Sequence, residues 1–297
     1  MKKIHFIGAA LGIGGYHHGS SDGPFAFQHS TTLQNPEYYD WANIIDERSY
    51  LLGRANKTLS QTERLDMIVN VNTQIAACVF EQITLKHRFC TIGGDHSCAI
   101  GTWSGAASAI DGDLGLIWVD AHMDAHTFDT SHTKNIHGMP VAALLGYGDK
   151  KLTHLLTEKT KLKPENLCLI GVRSFEYEEA ELLKNAGVTV YTNTDIQQEG
   201  LEVLLERAHK QVTRSTSHFG FSIDLDGFDP EFAPGTGTPV ACGINAPEFC
   251  RIISRWAGDS QLIGYEIAEY NPHLDKDSIT EKTMTCIINA FQKEVLS

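Results

Sequence analysis

The sequence predicts an α/β fold of three layers, in which a mostly parallel sheet carries helices on both faces. Short apolar runs alternate with longer amphipathic stretches along the chain, the order expected when helices connect parallel strands. Polar residues of chemical interest follow the apolar runs instead of interrupting them. This placement is typical of parallel sheets, because ligands bind at the carboxyl ends of their strands.

The individual elements are predicted from apolar runs, periodic patterns and caps. Ser60 and Glu63 form a capping-box pattern that begins a helix extending to residue 86, and Gly187 ends a helix over residues 178–186. The glycine-rich segment 12–23 is expected to be a surface loop near the sheet edge. Strands are predicted at residues 4–7, 89–92, 114–119, 167–171, 188–191, 219–223 and 262–267, and further helices at 201–212, 247–256 and 278–295.

Length and composition favour one folded domain over residues 1–297 and narrow the possible partners. Hydrophobic residues make up 42% and charged residues 21%, values that disfavour a disordered chain. The formal net charge of −13 disfavours nucleic acid or an anionic membrane as partner. No run approaches the ~20 apolar residues of a membrane span. Seven cysteines without a CxxC pair indicate reduced thiols, which favours the cytoplasm.

A cluster of metal-ligating residue types follows the predicted strand 114–119. Asp120, His122 and Asp124 alternate, so in a continuing strand their side chains would lie on one face. Without a cation the two carboxylates would repel each other. This segment therefore predicts a metal site.

A second cluster follows the same rule and indicates more than one cation. Asp224 and Asp226 lie at the end of the predicted strand 219–223, and His96 follows the strand 89–92. Nitrogen and oxygen donors without thiolate suit Mn²⁺, with Zn²⁺, Fe²⁺, Co²⁺ and Ni²⁺ as competitors, whereas two imidazoles make Mg²⁺ less suitable. Bridging carboxylates would hold two ions about 3.5 to 4 Å apart.

Other residues with chemical potential have simpler interpretations. Asp229 precedes a proline and is expected to be a turn residue, since Asp-Pro favours turns. Asp95 is expected to be a structural carboxylate. Cys98 follows a buried strand and is expected to be an inert thiol. Trp118 is interpreted as a packing residue of the core.

Six segments in the same order resemble the ureohydrolases, the arginase and agmatinase superfamily, over nearly the whole chain. Any one of them is weak evidence, but their common order makes the resemblance specific. It implies an arginase-like fold and hydrolysis of a guanidino substrate. The segments are residues 93–96 (GGDH), 120–124 (DAHMD), 135–140 (NIHGMP), 222–230 (SIDLDGFDP), 235–239 (GTGTP) and 266–272 (EIAEYNP).

The resemblance implies a role for each clustered residue. A hydroxide bridging two Mn²⁺ ions would attack the guanidinium carbon. Glu269 would bind the guanidinium nitrogens, His137 would shuttle the proton that the leaving amine takes up, and Asp124 counts as a catalytic residue as well as a ligand. One ion would be held by His96, Asp120, Asp124 and Asp224, and the other by His122, Asp120, Asp224 and Asp226, with Asp120 and Asp224 bridging.

The substrate implied by the resemblance is L-arginine, hydrolysed to L-ornithine and urea. Thr133 and Asn135 would bind the α-carboxylate and Glu176 the α-amino group, with His126 and Thr238 also in contact with the substrate. His126 stands where many arginases have Asn, and residues 174–176 replace a common Asp-x-Asp pattern, as in a divergent bacterial arginase. Agmatinase, guanidinobutyrase, formimidoylglutamase and a non-catalytic metal-binding member of the fold stay open as alternatives. The resemblance also implies a homo-oligomer, a trimer or a hexamer.

Overall fold

Eight parallel strands form the sheet of the computed structural model, which describes residues 3–33, 38–51 and 59–292. Their spatial order is β2-β1-β3-β8-β7-β4-β5-β6, and each neighbouring pair is parallel. The strands predicted from the sequence are confirmed, and β2 is an additional one. The strands are β1 (Ile4–Ala10), β2 (Tyr39–Asp46), β3 (Arg88–Gly93), β4 (Leu114–Val119), β5 (Leu167–Val172), β6 (Thr189–Thr192), β7 (His218–Asp224) and β8 (Leu262–Ala268).

Helices connect the strands. Of those in the described residues, none is long and apolar enough to cross a membrane. The α-helices are α1 (Gly23–Gln28), α2 (Arg48–Leu51), α3 (Gln61–Thr84), α4 (Ala99–Ala109), α5 (Pro140–Leu144), α6 (Lys150–Thr153), α7 (Tyr177–Ala186), α8 (Asn193–Glu199), α9 (Leu201–Val212), α10 (Ala246–Ile253) and α11 (Ile279–Gln292).

The helix boundaries follow the predicted signals closely. Ser60 accepts a hydrogen bond from the Glu63 N–H at the start of α3, and Gly187 ends α7 with a φ of 84°, where glycine avoids the steric cost of a side chain. The predicted helix 247–256 is divided into α10 and a 3₁₀ turn, Ser254–Trp256. The predicted residues 293–295 of the last helix lie outside the described residues.

Two apolar cores lie on opposite faces of the sheet. Successive residues of β4 alternate between them: Leu116 and Trp118 pack with α3 and α4, whereas Ile117 and Val119 pack with α9, α10 and α11. This alternation is the two-residue period of a strand buried on both faces. The predicted three-layer α/β fold is therefore confirmed.

Strand β2 was not predicted, because its sequence lacks a clear period. Tyr39 and Ile45 are buried, but most of the residues between them are exposed or half-buried, as expected for an edge strand with one hydrogen-bonded neighbour. Its pairing with β1 depends on contacts that local propensity does not report.

The glycine-rich segment is not wholly a surface loop, and that expectation was wrong for residues 12–15. Residues 12–15 are buried, whereas residues 16–18, which follow them, are exposed. The Gly14 N–H donates to the Asp95 carboxylate at 2.7 Å, and the Asp95 N–H donates to the Leu11 carbonyl at 2.6 Å. The segment packs against the residues that follow β3, because glycine permits this close backbone approach.

We expect Gly94→Ala to disturb this packing. An added Cβ would lie 1.9 Å from the Leu11 carbonyl oxygen. Overpacking of this kind costs about 1–3 kcal/mol, which would lower Tm by roughly 5 °C. Gly258→Ala is the matched control, since a Cβ there meets no atom within 4 Å. Equal melting temperatures for the two variants in calorimetry would contradict this account.

Candidate metal centre and active site

Five neighbouring strands deliver polar side chains to one edge of the sheet. His96 follows β3, Glu269 follows β8, Asp224 ends β7, Asp120 follows β4 and Glu176 follows β5. These strands are adjacent in the order β3-β8-β7-β4-β5. Residues far apart in sequence therefore converge on one crevice at the carboxyl ends of the strands.

The first group of candidate ligands surrounds His96. Its Nδ1 lies 3.3 Å from Asp120 Oδ2, 3.1 Å from Asp124 Oδ2 and 3.1 Å from Asp224 Oδ2. All of these side chains are buried, yet none of the described groups forms a hydrogen bond of good geometry with His96 Nδ1. An unpartnered ring nitrogen facing three carboxylates fits a bound cation.

The electrostatics of this group also favour a cation. Burial, and then repulsion from Asp120, raises the pKa of Asp124 to about 6. Burial and the charges of Asp226 and Asp120 raise the pKa of Asp224 well above its usual range. Burial would lower the pKa of His96, but the three facing carboxylates together raise it. Positive charge, carried by protons or by a metal ion, therefore stabilises the cluster.

A second group shares Asp120 with the first. His122 Nδ1 lies 3.2 Å from Asp226 Oδ2 and 3.5 Å from Asp120 Oδ1. Burial alone would lower the pKa of His122, but Asp226 and Asp120 raise it to about 12. Asp120 thus presents Oδ2 to the first group and Oδ1 to the second. Asp224 belongs to the first group, and its expected bridge to the second stays a prediction.

Short-range hydrogen bonds explain the spacing of the ligand motifs. The Asp120 carboxylate accepts the His122 N–H at 2.7 Å, and the Asp224 carboxylate accepts the Asp226 N–H at 2.8 Å. An aspartate that bonds the backbone two residues onward forms a compact turn. Each turn places the next ligand beside the first, so the Asp-x-His and Asp-x-Asp patterns have a structural cause.

Three residues that sequence reasoning did not assign to the site support its ligands from within the strands. His96 Nε2 lies 3.0 Å from Ser222 Oγ, which donates to Glu266 at 3.0 Å, and Trp118 Nε1 donates to Asp120 Oδ2 at 2.9 Å. Trp118 and Ser222 precede the candidate ligands Asp120 and Asp224 by two residues. Their position on the same strand face was an available signal.

Arg173 is a further support that sequence reasoning missed. Its guanidinium donates to a ring of backbone carbonyls, and burial lowers its pKa. A planar fork of donors can fix several carbonyls at once. Arg173 thereby fixes the turn that carries Asp226. The acceptors are the carbonyls of Gly171, Asp226, Gly227, Phe228, Val240 and Ala241.

The half-buried His137 and the buried Glu269 form a pair beside the candidate ligand groups. His137 Nδ1 lies 3.2 Å from Glu269 Oε1, which also accepts the His96 N–H at 2.9 Å. Burial opposes both charges, but the hydrogen bond to Glu269 raises the pKa of His137 to about 9. The bond to His137 correspondingly lowers the pKa of Glu269. Each member of the pair therefore favours the charged form of the other.

The five predicted substrate-binding residues line one cavity next to the ligand groups. Its volume is about 170 Å³, and a second cavity of about 320 Å³ adjoins it along Thr133, Asn135, His137 and Thr238. Thr238 also donates to Asp226 at 2.8 Å, so it contacts a candidate ligand directly. The first cavity is lined by His122, Asp124, His126, Ser131, His132, Thr133, Asn135, His137, Gly138, Glu176, Glu179, Asp224, Asp226 and Thr238.

His126 lies among acidic side chains at the outer end of this cavity. Its Nε2 is 2.8 Å from Glu176 and 3.4 Å from Glu179, and its Nδ1 is 3.1 Å from Thr130 Oγ1. Glu179 was not singled out from the sequence. It is buried and accepts the N–H groups of Ala125 and Glu176, and burial raises its pKa to about 8.

The simpler interpretations of three other residues agree with their surroundings. Asp229 accepts the Glu231 and Gly243 N–H groups, as expected for a turn residue. Asp95 is buried and accepts the Gly14 and Ser97 N–H groups, which is a structural role. Cys98 is buried in the core, and burial raises the pKa of its thiol well above the usual range.

Comparison with known proteins gives one consistent family. The model of the arginase family matches residues 2–292. The arginase of Bacillus caldovelox is 34% identical over 303 residues, covering 100% of both chains, and its native structure has a TM-score of 0.91. The structure of Entamoeba histolytica arginase in complex with L-ornithine has a TM-score of 0.87 at 26% identity, covering 99% of both chains.

The sequence match, the fold and the paired His/Asp groups agree with one another. The chain belongs to the arginase family and is a metal-dependent amidohydrolase.

Proposed function

We propose that this protein hydrolyses L-arginine to L-ornithine and urea at a site that holds two Mn²⁺ ions. The observation that carries the proposal is the shared carboxylate of Asp120, which presents one oxygen to each of two His/Asp groups. The His137–Glu269 pair lies beside these groups, and the cavity continues to polar residues suited to an amino acid.

The donors of both groups fit manganese. They are imidazole nitrogens and carboxylate oxygens, the ligand types that Mn²⁺ accepts together. Asp120 would help to hold both ions, and we propose the same role for Asp224. When bound, the two ions would supply Lewis-acid chemistry that makes a water nucleophilic near neutral pH.

Glu269 would orient the guanidinium. Its lowered pKa keeps the carboxylate ionised in a buried setting, where a charge-assisted hydrogen bond to a guanidinium N–H is strong. Glu269 adopts a left-handed φ of 66°, its N–H donates to the Gly94 carbonyl at 2.7 Å, and its carboxylate accepts the His96 N–H at 2.9 Å. The carboxylate is therefore held before the substrate arrives, which favours a productive orientation.

His137 would supply the proton that bond cleavage requires. Addition of water to the guanidinium carbon is followed by rupture of the bond to the ornithine nitrogen, and that nitrogen must take up a proton as it leaves. The hydrogen bond to Glu269 favours the protonated imidazole and raises the pKa of His137. A protonated imidazole at this position can act as the general acid.

The residues that line the first cavity support an amino-acid substrate. Thr133 and Asn135 offer a hydroxyl and an amide to the α-carboxylate, and Glu176 offers a carboxylate to the α-amino group. The His126 ring restrains Glu176 at 2.8 Å. The related Entamoeba histolytica arginase forms a complex with L-ornithine, which supports a site for both ends of an amino acid.

Removal of the proposed bridging carboxylate should remove metal. After chelation and reloading, elemental analysis should find two Mn²⁺ per chain in the wild type and in Asp229→Ala, but fewer in Asp224→Ala. Urea release by Asp224→Ala should fall by more than about 100-fold, beyond the usual effect of changing a group that only supports a ligand. Full metal content and near-normal kcat in Asp224→Ala would make the ligand assignment wrong.

His137→Asn should slow the reaction without emptying the metal site. Loss of one general acid lowers kcat by roughly 100-fold, and the Mn²⁺ content should stay at the wild-type value. His132→Asn is the control, because His132 lines the same cavity. An unchanged rate in His137→Asn would exclude the proton-transfer role.

L-Arginine should be preferred over agmatine by at least roughly tenfold in kcat/KM, a difference of about 1.4 kcal/mol. Agmatine lacks the α-carboxylate, so Thr133 and Asn135 would be left unpaired. Glu176→Ala should raise KM for L-arginine and barely affect a guanidine lacking both α-groups. Urea release from L-arginine, agmatine and 4-guanidinobutyrate, with formamide release from formiminoglutamate, gives the comparison. Preference for agmatine would overturn the L-arginine assignment but not the hydrolase family.

A further inference from the structure

Glu47 is a buried carboxylate at the end of β2 that the proposed reaction does not use. It is 3% exposed, and its Oε2 accepts two successive backbone N–H groups, from Gly12 at 2.8 Å and from Ile13 at 3.1 Å. Burial raises its pKa to about 7, and the charges of Asp95 and Asp46 act in the same direction. A buried glutamate is costly, so its hydrogen bonds call for a structural or functional reason.

The segment that Glu47 holds, residues 12–15, continues directly to His137. The Gly14 carbonyl accepts the His137 N–H at 3.2 Å, and the Gly14 N–H donates to Asp95 at 2.7 Å. A Cβ built on Gly15 would lie 3.4 Å from His137 Nδ1, the atom that faces Glu269. The backbone of residues 12–15 is thus one wall around the imidazole.

This wall needs an external restraint. Three of its four residues are glycines, which lose more conformational freedom on folding than other residues. The Glu47 carboxylate closes the segment at one end, and Asp95 and His137 close it at the other. A long-range carboxylate can therefore determine where the His137 backbone lies.

We infer that Glu47 is a positioning residue that fixes residues 12–15 and, through them, the His137 imidazole against Glu269. The inference rests on the proposed function, because it assigns Glu47 a role in proton transfer through His137. In the described part of the chain, the hydrogen bonds of the Glu47 carboxylate go to the Gly12 and Ile13 amides and not to a candidate metal ligand, so its effect should be on kcat.

Two conservative variants test separately the length and the charge of the Glu47 side chain. Glu47→Gln keeps the side-chain length and an acceptor oxygen, and it reproduces the protonated form that the raised pKa favours. Glu47→Asp keeps the charge but is one methylene too short to reach both amides. We expect Glu47→Asp to lower kcat at least tenfold with KM for L-arginine and Mn²⁺ content unchanged, whereas Glu47→Gln stays within about threefold of the wild type.

A double-mutant cycle tests whether the effect passes through His137. In the His137→Asn background, Glu47→Asp should cause no further loss of kcat, because the group it positions is gone. A merely structural role would give the same loss in both backgrounds. Asp40→Asn is the matched control, since Asp40 lies on β2, the strand that precedes Glu47, and pairs with the exposed Lys3.

Hydrogen exchange measures the restraint without relying on activity. The Gly12 and Ile13 amides of the Mn²⁺-loaded protein should exchange about tenfold faster in Glu47→Asp than in the wild type or Asp40→Asn. Unchanged exchange overturns the inference, as do additive kcat losses, loss of Mn²⁺ or failure of Glu47→Asp to fold. If the wild type does not hydrolyse L-arginine, the proposed function fails while the exchange result still decides whether Glu47 restrains the loop.

Discussion

The structure depends above all on the mutual repulsion of carboxylates buried at one edge of the sheet. Asp120 lies close to Asp124 and Asp224 in one group and to Asp226 in the other, and burial strengthens each repulsion because the local dielectric is low. The folded chain stabilises this arrangement with two imidazoles and with hydrogen bonds from its own backbone. Bound cations would complete the compensation. The same electrostatic cost that opposes folding of the metal-free chain is thus the source of its affinity for metal.

These carboxylates stay close together only if the backbone around them is rigid. The strands and the loops that follow them provide this rigidity. Asp124 and Glu269 adopt left-handed backbone conformations with φ of 49° and 66°, which are unfavourable for residues other than glycine. Each is held by a neighbouring backbone: the Asp124 carbonyl accepts the Val141 N–H at 2.9 Å, and the Glu269 N–H donates to Gly94. The strain persists because these contacts over-determine it. A metal ion would therefore meet donors that are already in place, with little reorganisation.

The part of this site that could be predicted from sequence is the part encoded by short periods. The apolar run of β4 predicts a buried strand. The Asp-x-His-x-Asp pattern after this strand predicts the candidate ligands, because local turns bring them together. Glu47 and the buried position of residues 12–15 could not be predicted in this way. They depend on the pairing of β2 with β1, across a separation of about 35 residues, and the sequence of β2 carries no clear alternation. The role of Arg173 could not be predicted for a similar reason, since its partners are backbone carbonyls of loops that are distant in sequence.

The residues proposed for the reaction and those proposed for substrate specificity differ in burial. The candidate ligand carboxylates and Glu269 are buried and fixed by several contacts, whereas the Glu176 side chain that lines the same cavity is 56% exposed. Loops after strands can change without disturbing the layers beneath them, so the outer end can vary while the ligand groups stay intact. His126 and residues 174–176, which depart from the pattern expected of many arginases, lie in the loops that follow β4 and β5. Their effect should therefore fall on which tail of a guanidino compound is accepted, because the residues that would hold metal and orient the guanidinium are anchored separately.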